Sequence, residues 1–262
     1  MTVIRDPAVA GQFYPGNASE LRTAMRVFFE NVDLKPGPAP KALIVPHAGY
    51  IYSGPVAATA YARLRSFSEQ YTRVILLGPA HRVAVRGLAL SAADVFRTPL
   101  GDVPLDKEAI ATLNMPEVMV FDASHQFEHS LEVHLPFLQS VIEPFSVVPL
   151  IVGDIASETV AEVIDALWGG PETLIVVSSD LSHYLTYEKA RTMDNATCQA
   201  IENLEVDLID HDAACGATPI RGLLIAARRR GMKVTTLDLR NSGDTAGDRN
   251  RVVGYGSWLF LE

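Results

Sequence analysis

The sequence predicts an α/β protein in which helices cover both faces of a mostly parallel, mixed β-sheet, giving a three-layer α/β/α sandwich. Short runs rich in β-branched residues, typical of buried strands, alternate with segments whose apolar residues recur every three or four positions, typical of helices. Such alternation indicates crossover connections, which place helices on both faces of a sheet. The 262-residue chain has no internal repeat, low-complexity segment or polar linker, so we predict one domain over residues 1–262.

The predicted strands and helices are short and follow one another closely. The strands are Ala42–Val45, Arg73–Leu77, Ser146–Val152, Thr173–Val177, Lys233–Leu237 and Val252–Phe260. The helices are Pro55–Leu64, Asp106–Leu113, Ala156–Leu167, Tyr187–Leu204 and Pro219–Arg230, of which the first and last open with a proline suited to a first helical turn. A turn at Thr98–Asp102 interrupts the alternation and predicts a small antiparallel excursion between Leu88 and Leu105.

The composition excludes several classes of protein. A 48% apolar content is that of an ordinary globular protein, and the net charge of -9 repels nucleic-acid backbones and anionic membrane surfaces. The chain lacks both a signal-peptide pattern and a run of roughly 18 apolar residues, so we expect neither nucleic acid nor a membrane as partner. Its two cysteines, Cys198 and Cys215, do not suit a disulfide framework, and we expect a reduced, cytoplasmic setting.

Polar turns with small residues follow four of the predicted strands. They are Val45–Tyr50, Leu77–His81, Val177–His183 and Leu239–Asp244. Ligands bind beyond the carboxyl ends of the strands in open α/β sheets, so these turns could converge on one cleft. The sequence therefore predicts a functional site built from their histidines and aspartates.

His47, His81 and Asp244 could hold a divalent metal in that cleft. Two imidazoles and one carboxylate on one face of an octahedral ion, with the remaining positions open, form the arrangement used for non-haem iron(II). Iron(II) therefore fits this set of ligands, although composition alone does not separate it from zinc. Zinc is the main alternative because it accepts the same ligands and keeps a position open for water. Asp248 and Asp180 are the alternatives to Asp244 as third ligand.

Two further histidines are candidates for catalytic roles. His183 follows Asp180 by three residues, which suits a histidine held in one tautomer by a carboxylate and acting as acid or base. The alternative is that Asp180 only caps a following helix. His129 lies in Ser124–Pro136, the segment richest in ionisable groups. The proline argues against a continuous helix there, so we expect His129 to face the substrate or support the metal ligands rather than bind a separate metal.

Several motifs, in order along nearly the whole chain, resemble those of the Memo family. They are Arg5–Pro15, Pro46–Tyr50 with Ser53–Gly54, Gly78–His81, Glu128–Pro136, Ser178–His183 and Arg251–Tyr255. The resemblance implies the fold of class III extradiol ring-cleaving dioxygenases, which bind iron(II) through two histidines and a glutamate and use another histidine as acid or base. Carried over by motif, His47 and His81 would be ligands, and His183 the acid or base.

The third metal-facing position distinguishes this chain from its animal relatives. Animal Memo proteins have a cysteine there and act in signalling and in copper or iron redox chemistry, whereas the resemblance places Asp244 at this point. A carboxylate favours a harder ion such as iron(II), and copper is a further alternative. We therefore expect a non-haem iron(II) dioxygenase-like enzyme acting on a small, chelating, diol-like substrate. A metal-dependent hydrolase and a non-catalytic module that binds a metal or a peptide and acts through a protein partner are the competing hypotheses.

Overall fold

The computed structural model describes residues 2–33, 36–142 and 144–262. The strands are β1 Ile4–Arg5, β2 Ala42–Val45, β3 Arg73–Pro79, β4 Leu88–Leu90, β5 Val95–Thr98, β6 Gly101–Pro104, β7 Val118–Val120, β8 Ser146–Val152, β9 Thr173–Ser178, β10 His183–Leu185, β11 Lys233–Asn241 and β12 Val252–Leu261. The α-helices are α1 Ala18–Glu30, α2 Tyr50–Ala62, α3 Lys107–Thr112, α4 Asp122–Gln126, α5 Leu135–Val141, α6 Ser157–Ala166, α7 Tyr187–Glu202, α8 Ala217–Arg229 and α9 Ser242–Thr245.

A nine-stranded mixed sheet forms the middle layer, in the order β10-β12-β2-β9-β3-β8-β4-β7 with β11 paired to β12. The central strands β2, β9, β3 and β8 are mutually parallel. On either side of them, β12 runs antiparallel to β2 and β4 runs antiparallel to β8. The predicted α/β class with a mixed sheet is confirmed, and the last two predicted strands form an antiparallel pair beside the parallel centre.

Side chains of the central strands alternate between two apolar layers, because successive residues of a strand point to opposite faces. In β2, Leu43 and Val45 belong to the layer that includes α1, α2 and α5. Ala42 and Ile44 belong to the layer with α6, α7 and α8. All four residues are fully buried, which explains why the strand is apolar at every position. Helices therefore cover both faces of the sheet, as predicted.

Helix α2 begins earlier than its sequence predicts. Pro55 lies inside this helix rather than in its first turn, since the helix already starts at Tyr50. The Tyr50 hydroxyl donates to the Val133 carbonyl at 2.6 Å and its backbone N–H donates to the Phe13 carbonyl at 2.7 Å. These tertiary hydrogen bonds hold the added first turn, and they place the start of α2 three residues after His47.

A small second sheet, in the order β1-β5-β6, lies outside the main one. Strands β5 and β6 pair antiparallel, with Thr98 opposite Gly101, which confirms the predicted excursion. Helix α1 has no predicted counterpart, although Asn17 carries a recognisable signal. Its side chain accepts hydrogen bonds from the N–H groups of Ser19 and Glu20 as an N-cap does.

Across the described ranges, no helix combines the length and apolar character needed to cross a bilayer.

Candidate metal centre

Three neighbouring parallel strands bring the predicted site residues to one edge of the sheet. Strand β9 lies between β2 and β3, and parallel strands end at the same edge. Each of these strands is followed, two residues beyond its end, by a predicted site residue. That residue is His47 after β2, His81 after β3 and Asp180 after β9. The site therefore starts as a row of short turns at the carboxyl ends of the parallel centre.

His47, His81 and His129 form a close group in which each offers one ring nitrogen. These nitrogens all lie within 4.8 Å of one another. The ring centroids are 5.0 Å apart for His47 and His81, and 4.6 Å apart for His81 and His129. The structure thus brings together the two histidines that the sequence paired as ligands, and it adds a third.

The tautomer of His47 follows from its hydrogen bonds. Its Nδ1 lies 2.6 Å from the Ser178 hydroxyl, and that hydroxyl donates to the Ser130 carbonyl at 2.6 Å. Since the hydroxyl proton is already used, Nδ1 of His47 must donate to Ser178. In the neutral ring Nε2 then carries the lone pair, and it faces the Cys215 thiol at 3.3 Å.

Glu128 fixes the tautomer of His81. Its buried carboxylate accepts from the backbone N–H of His81 at 2.6 Å and lies 2.9 Å from Nδ1 of the same residue. Burial would raise the pKa of Glu128, but hydrogen bonds from His81 and from the backbone N–H of Ser130 outweigh it and bring the pKa to about 2. An ionised carboxylate only accepts, so Nδ1 of His81 carries the proton and Nε2 of the neutral ring is free.

His129 is held in place but keeps a nitrogen without a partner. Its Nδ1 is buried and lies 3.2 Å from Glu128 Oε1. This nitrogen forms no hydrogen bond with Glu128 or with any other residue that the structure describes. A buried polar atom without a partner costs free energy, so such an atom calls for an explanation. The Glu128 carboxylate beside this atom is its nearest acceptor, and the ring offers one nitrogen to the group with His47 and His81.

Burial keeps the imidazoles of His47 and His129 neutral, which is the form that binds metals. Burial, followed by the neighbouring His81 and His129, holds the pKa of His47 well below its usual range. Burial likewise lowers the pKa of His129 to about 4, although the Glu128 charge opposes the shift. The residues present therefore fit a divalent ion.

Asp180 and His183 lie beside this group. Asp180 is 5% exposed, and its Oδ1 accepts from the backbone N–H groups of His47 and Ala48 at 2.7 and 3.2 Å. Burial raises its pKa, while those hydrogen bonds and the nearby His183 oppose the shift. His183 is exposed, and no hydrogen bond joins its ring to Asp180 within the described residues. Asp180 thus fixes the turn that carries His47, and its role in orienting His183 stays a prediction.

Asp244 lies apart from the three histidines. It is exposed in the short helix α9, where Oδ2 accepts from the Asn241 backbone N–H at 3.0 Å and Oδ1 accepts from the Tyr187 hydroxyl at 2.6 Å. Both oxygens are used, Oδ2 in a capping box with Asn241 and Oδ1 by Tyr187. The alternative ligand Asp248 is also exposed and accepts from the Asn250 N–H. A ligand role for Asp244 stays a prediction, while the three residues whose geometry could hold an ion are His47, His81 and His129.

Two contacts of this centre were not predicted from the sequence. Glu128 directly precedes His129, but only the fold shows that it supports His81. Cys215, at the start of α8, places Sγ 3.3 Å from His47 Nε2, and burial raises its pKa to about 12. The two residues are 168 positions apart, so no local pattern could have paired them.

A model of the Memo-like protein family matches residues 5–259 of the chain. The chain belongs to the Memo family. A protein of Methanococcoides burtonii named as a MEMO1 family protein is 39% identical, over 97% of this chain and 98% of its own length. Similarly named proteins of Aquifex aeolicus and Sulfolobus acidocaldarius are both 36% identical, over 98% of this chain and 99% of theirs.

The family membership that the motifs indicated is therefore confirmed. The names of these relatives state a family and no reaction. What this Memo-family chain does must be argued from the chemistry of its three histidines and the residues around them.

Proposed function

We propose that this Memo-family chain is a metal-dependent enzyme of the non-haem iron(II) dioxygenase-like type, with the ion held by His47, His81 and His129. The observation that carries the metal is the pairing of Nδ1 with an acceptor in both His47 and His81, which leaves Nε2 as the lone-pair nitrogen of both rings, with the Cys215 thiol 3.3 Å from that of His47. Histidines that ligate metals are typically oriented by such hydrogen bonds. The substrate class that we favour is a small, chelating, diol-like molecule.

The number of ligands supports an open site. Three protein nitrogens leave coordination positions for substrate, whereas closed structural sites use four protein ligands. Histidines bind a metal as neutral imidazoles, so a divalent ion held by three of them keeps its positive charge and attracts anionic oxygen ligands. Glu128, ionised behind His81, adds electron density to that imidazole.

The roles of the surrounding residues follow from their positions. When bound, iron(II) supplies redox chemistry toward oxygen and the positions that a chelating diol fills. His183, exposed beside the centre, is our candidate for moving the hydroxyl proton of the substrate. Asp180 orients the His47 turn through two backbone N–H groups.

A zinc hydrolase is the second candidate, and the ligand set favours it directly. Three histidines with an open position are a known set for catalytic zinc, where bound water is the nucleophile. In this reaction class His183 would move protons for hydrolysis. Oxygen uptake with catechol separates the two candidates. The iron(II)-loaded protein is expected to consume oxygen, whereas zinc-dependent ester hydrolysis without oxygen uptake would replace the dioxygenase proposal.

Metal content tests the site itself. We expect anaerobically purified protein to bind about one divalent ion per chain, and His81→Ala or His129→Ala to lose at least about tenfold in metal affinity, because a ligand is removed. Asp244→Asn is the matched control, since it changes the alternative third ligand and should keep full metal content. Metal analysis by mass spectrometry and competition with a chelating dye measure both quantities.

Two outcomes would contradict this assignment. Loss of metal in Asp244→Asn with retention in His129→Ala would restore the aspartate as third ligand. Full metal affinity in both histidine variants would remove the site altogether. Saturable binding of metal with no turnover of any diol or ester would support instead a binding module that acts through a protein partner.

A further inference from the structure

A second cavity lies beside the metal centre, between the starts of helices α6 and α8. Its volume is about 550 Å³, within the range of roughly 300 to 1,000 Å³ that is usual for small-molecule sites. None of the three histidines lines it. Cys215 lines it and also contacts His47, and the strand end Pro79 with Ala80 forms another part of its wall, directly before His81. The cavity therefore adjoins the metal centre without being part of it.

Arg221 lines this cavity and has no partner among the described residues. Its Nε is buried without a hydrogen-bond acceptor, and no carboxylate of the described chain forms an ion pair with its guanidinium. Arg229, at the other end of α8, is used differently, because it pairs with Asp165 at 2.7 Å. A partly buried guanidinium left unpaired is costly, and its planar donors match the two oxygens of a carboxylate.

A second unpartnered group lines the same wall. Ser157 is only 5% exposed, and its hydroxyl makes no hydrogen bond within the described residues. Thr218 adds a hydroxyl that lies 3.3 Å from His211 Nε2. Ser157 begins α6 and Thr218 is the second residue of α8, so the positive ends of both helix dipoles also face this region.

Charge at the rim selects among anions. Asp154 and Glu158 line the cavity, are exposed, and form no ion pair with described residues. Two carboxylates near the opening repel a dianion such as a phosphate monoester more strongly than a monoanion. We propose that this cavity is a binding site for a small monoanionic carboxylic acid, whose carboxylate pairs with Arg221 and accepts from Ser157.

Benzoate is the probe for this site. Isothermal titration into protein dialysed against EDTA is expected to show saturable binding of one benzoate per chain. Arg221→Gln is expected to weaken it by about tenfold or more, because a charged hydrogen-bonding partner is lost. Arg229→Gln on the same helix removes the same charge outside the cavity, and benzoate affinity should stay as in the unsubstituted protein. Phenyl phosphate should bind more weakly than benzoate, and Glu158→Gln should reduce that difference.

The result does not depend on the metal, since EDTA is present and His81→Ala should still bind benzoate. If Arg221→Gln does not unfold cooperatively, Arg221→Lys and Ser157→Ala take its place. Both should weaken benzoate binding, because the first loses the two-pronged donor and the second loses the hydroxyl. Absence of saturable benzoate binding, unchanged affinity in the folded variants, or tighter binding of phenyl phosphate would each overturn the proposal.

Discussion

Burial determines the charge of several individual histidines in this protein, inside and outside the candidate metal centre. His125 is 2% exposed, and burial lowers its pKa to about 4 although its ring donates from Nε2 to the Ala89 carbonyl at 3.0 Å. His134 is also buried, and its pKa falls to about 3. These rings remain neutral well below pH 6 in the folded protein. Lowering the pH therefore destabilises the folded state, because the same histidines take up protons in the unfolded chain.

His125 gives a pH prediction at this scale. An unfolded histidine has a pKa of about 6.5, so between pH 6.5 and 4 the unfolded chain binds more protons at His125 than the folded chain does. Its contribution to stability is complete above about pH 6.5 and is lost as the pH falls toward 4. From pH 7 to pH 5, the free energy of unfolding should fall by roughly 2 kcal/mol less in His125→Gln than in the unsubstituted protein. Urea denaturation at both pH values measures this difference, and equal losses would contradict it.

Among the elements, the N-terminal segment depends on one buried carboxylate. Glu132 is 1% exposed and forms an ion pair with Arg5. It also accepts from the backbone N–H groups of Ala8 and Val9 at 2.7 and 3.0 Å, and from the Tyr14 hydroxyl at 2.6 Å. A single side chain thus ties the segment around β1 to the short helix Glu132–His134.

Glu132→Gln is therefore expected to destabilise the protein by about 3 to 5 kcal/mol, because Arg5 keeps a buried charge without its partner. Breaking the exposed Arg26–Glu30 pair with Arg26→Gln is the control, and it should change stability little. Chemical denaturation measures both variants, and hydrogen exchange at the amides of Ala8 and Val9 should accelerate only in Glu132→Gln. Similar stability losses in the two variants would show that the carboxylate does not anchor this segment.

In the whole molecule, the sheet joins distant parts of the chain. Strand β2 pairs with β9 on one side and with the C-terminal β12 on the other. Each half of the chain thereby completes the core of the other. We therefore expect one cooperative thermal transition in calorimetry, with equal calorimetric and van't Hoff enthalpies. Two resolved transitions would contradict the prediction of a single domain over residues 1–262.

The sequence by itself determined the class of fold and part of the site. The strand bounds of β2 and β8 match their predictions, because strands buried on both faces must be apolar at every position. His47 and His81 were placed at strand ends by the same local pattern. Family motifs added the Memo assignment, which the family model confirms.

Only the tertiary structure decided which residues share the centre. Insertion of β9 between β2 and β3, the approach of His129 with Glu128, and the use of Asp244 as a helix cap all depend on contacts far apart in sequence or on backbone geometry. A local pattern shows which face or turn a side chain occupies, but not which distant side chain it meets. Ligand sets and cavities depend on contacts between residues that are distant in sequence. The cavity that Arg221 lines could therefore be found only from the three-dimensional structure.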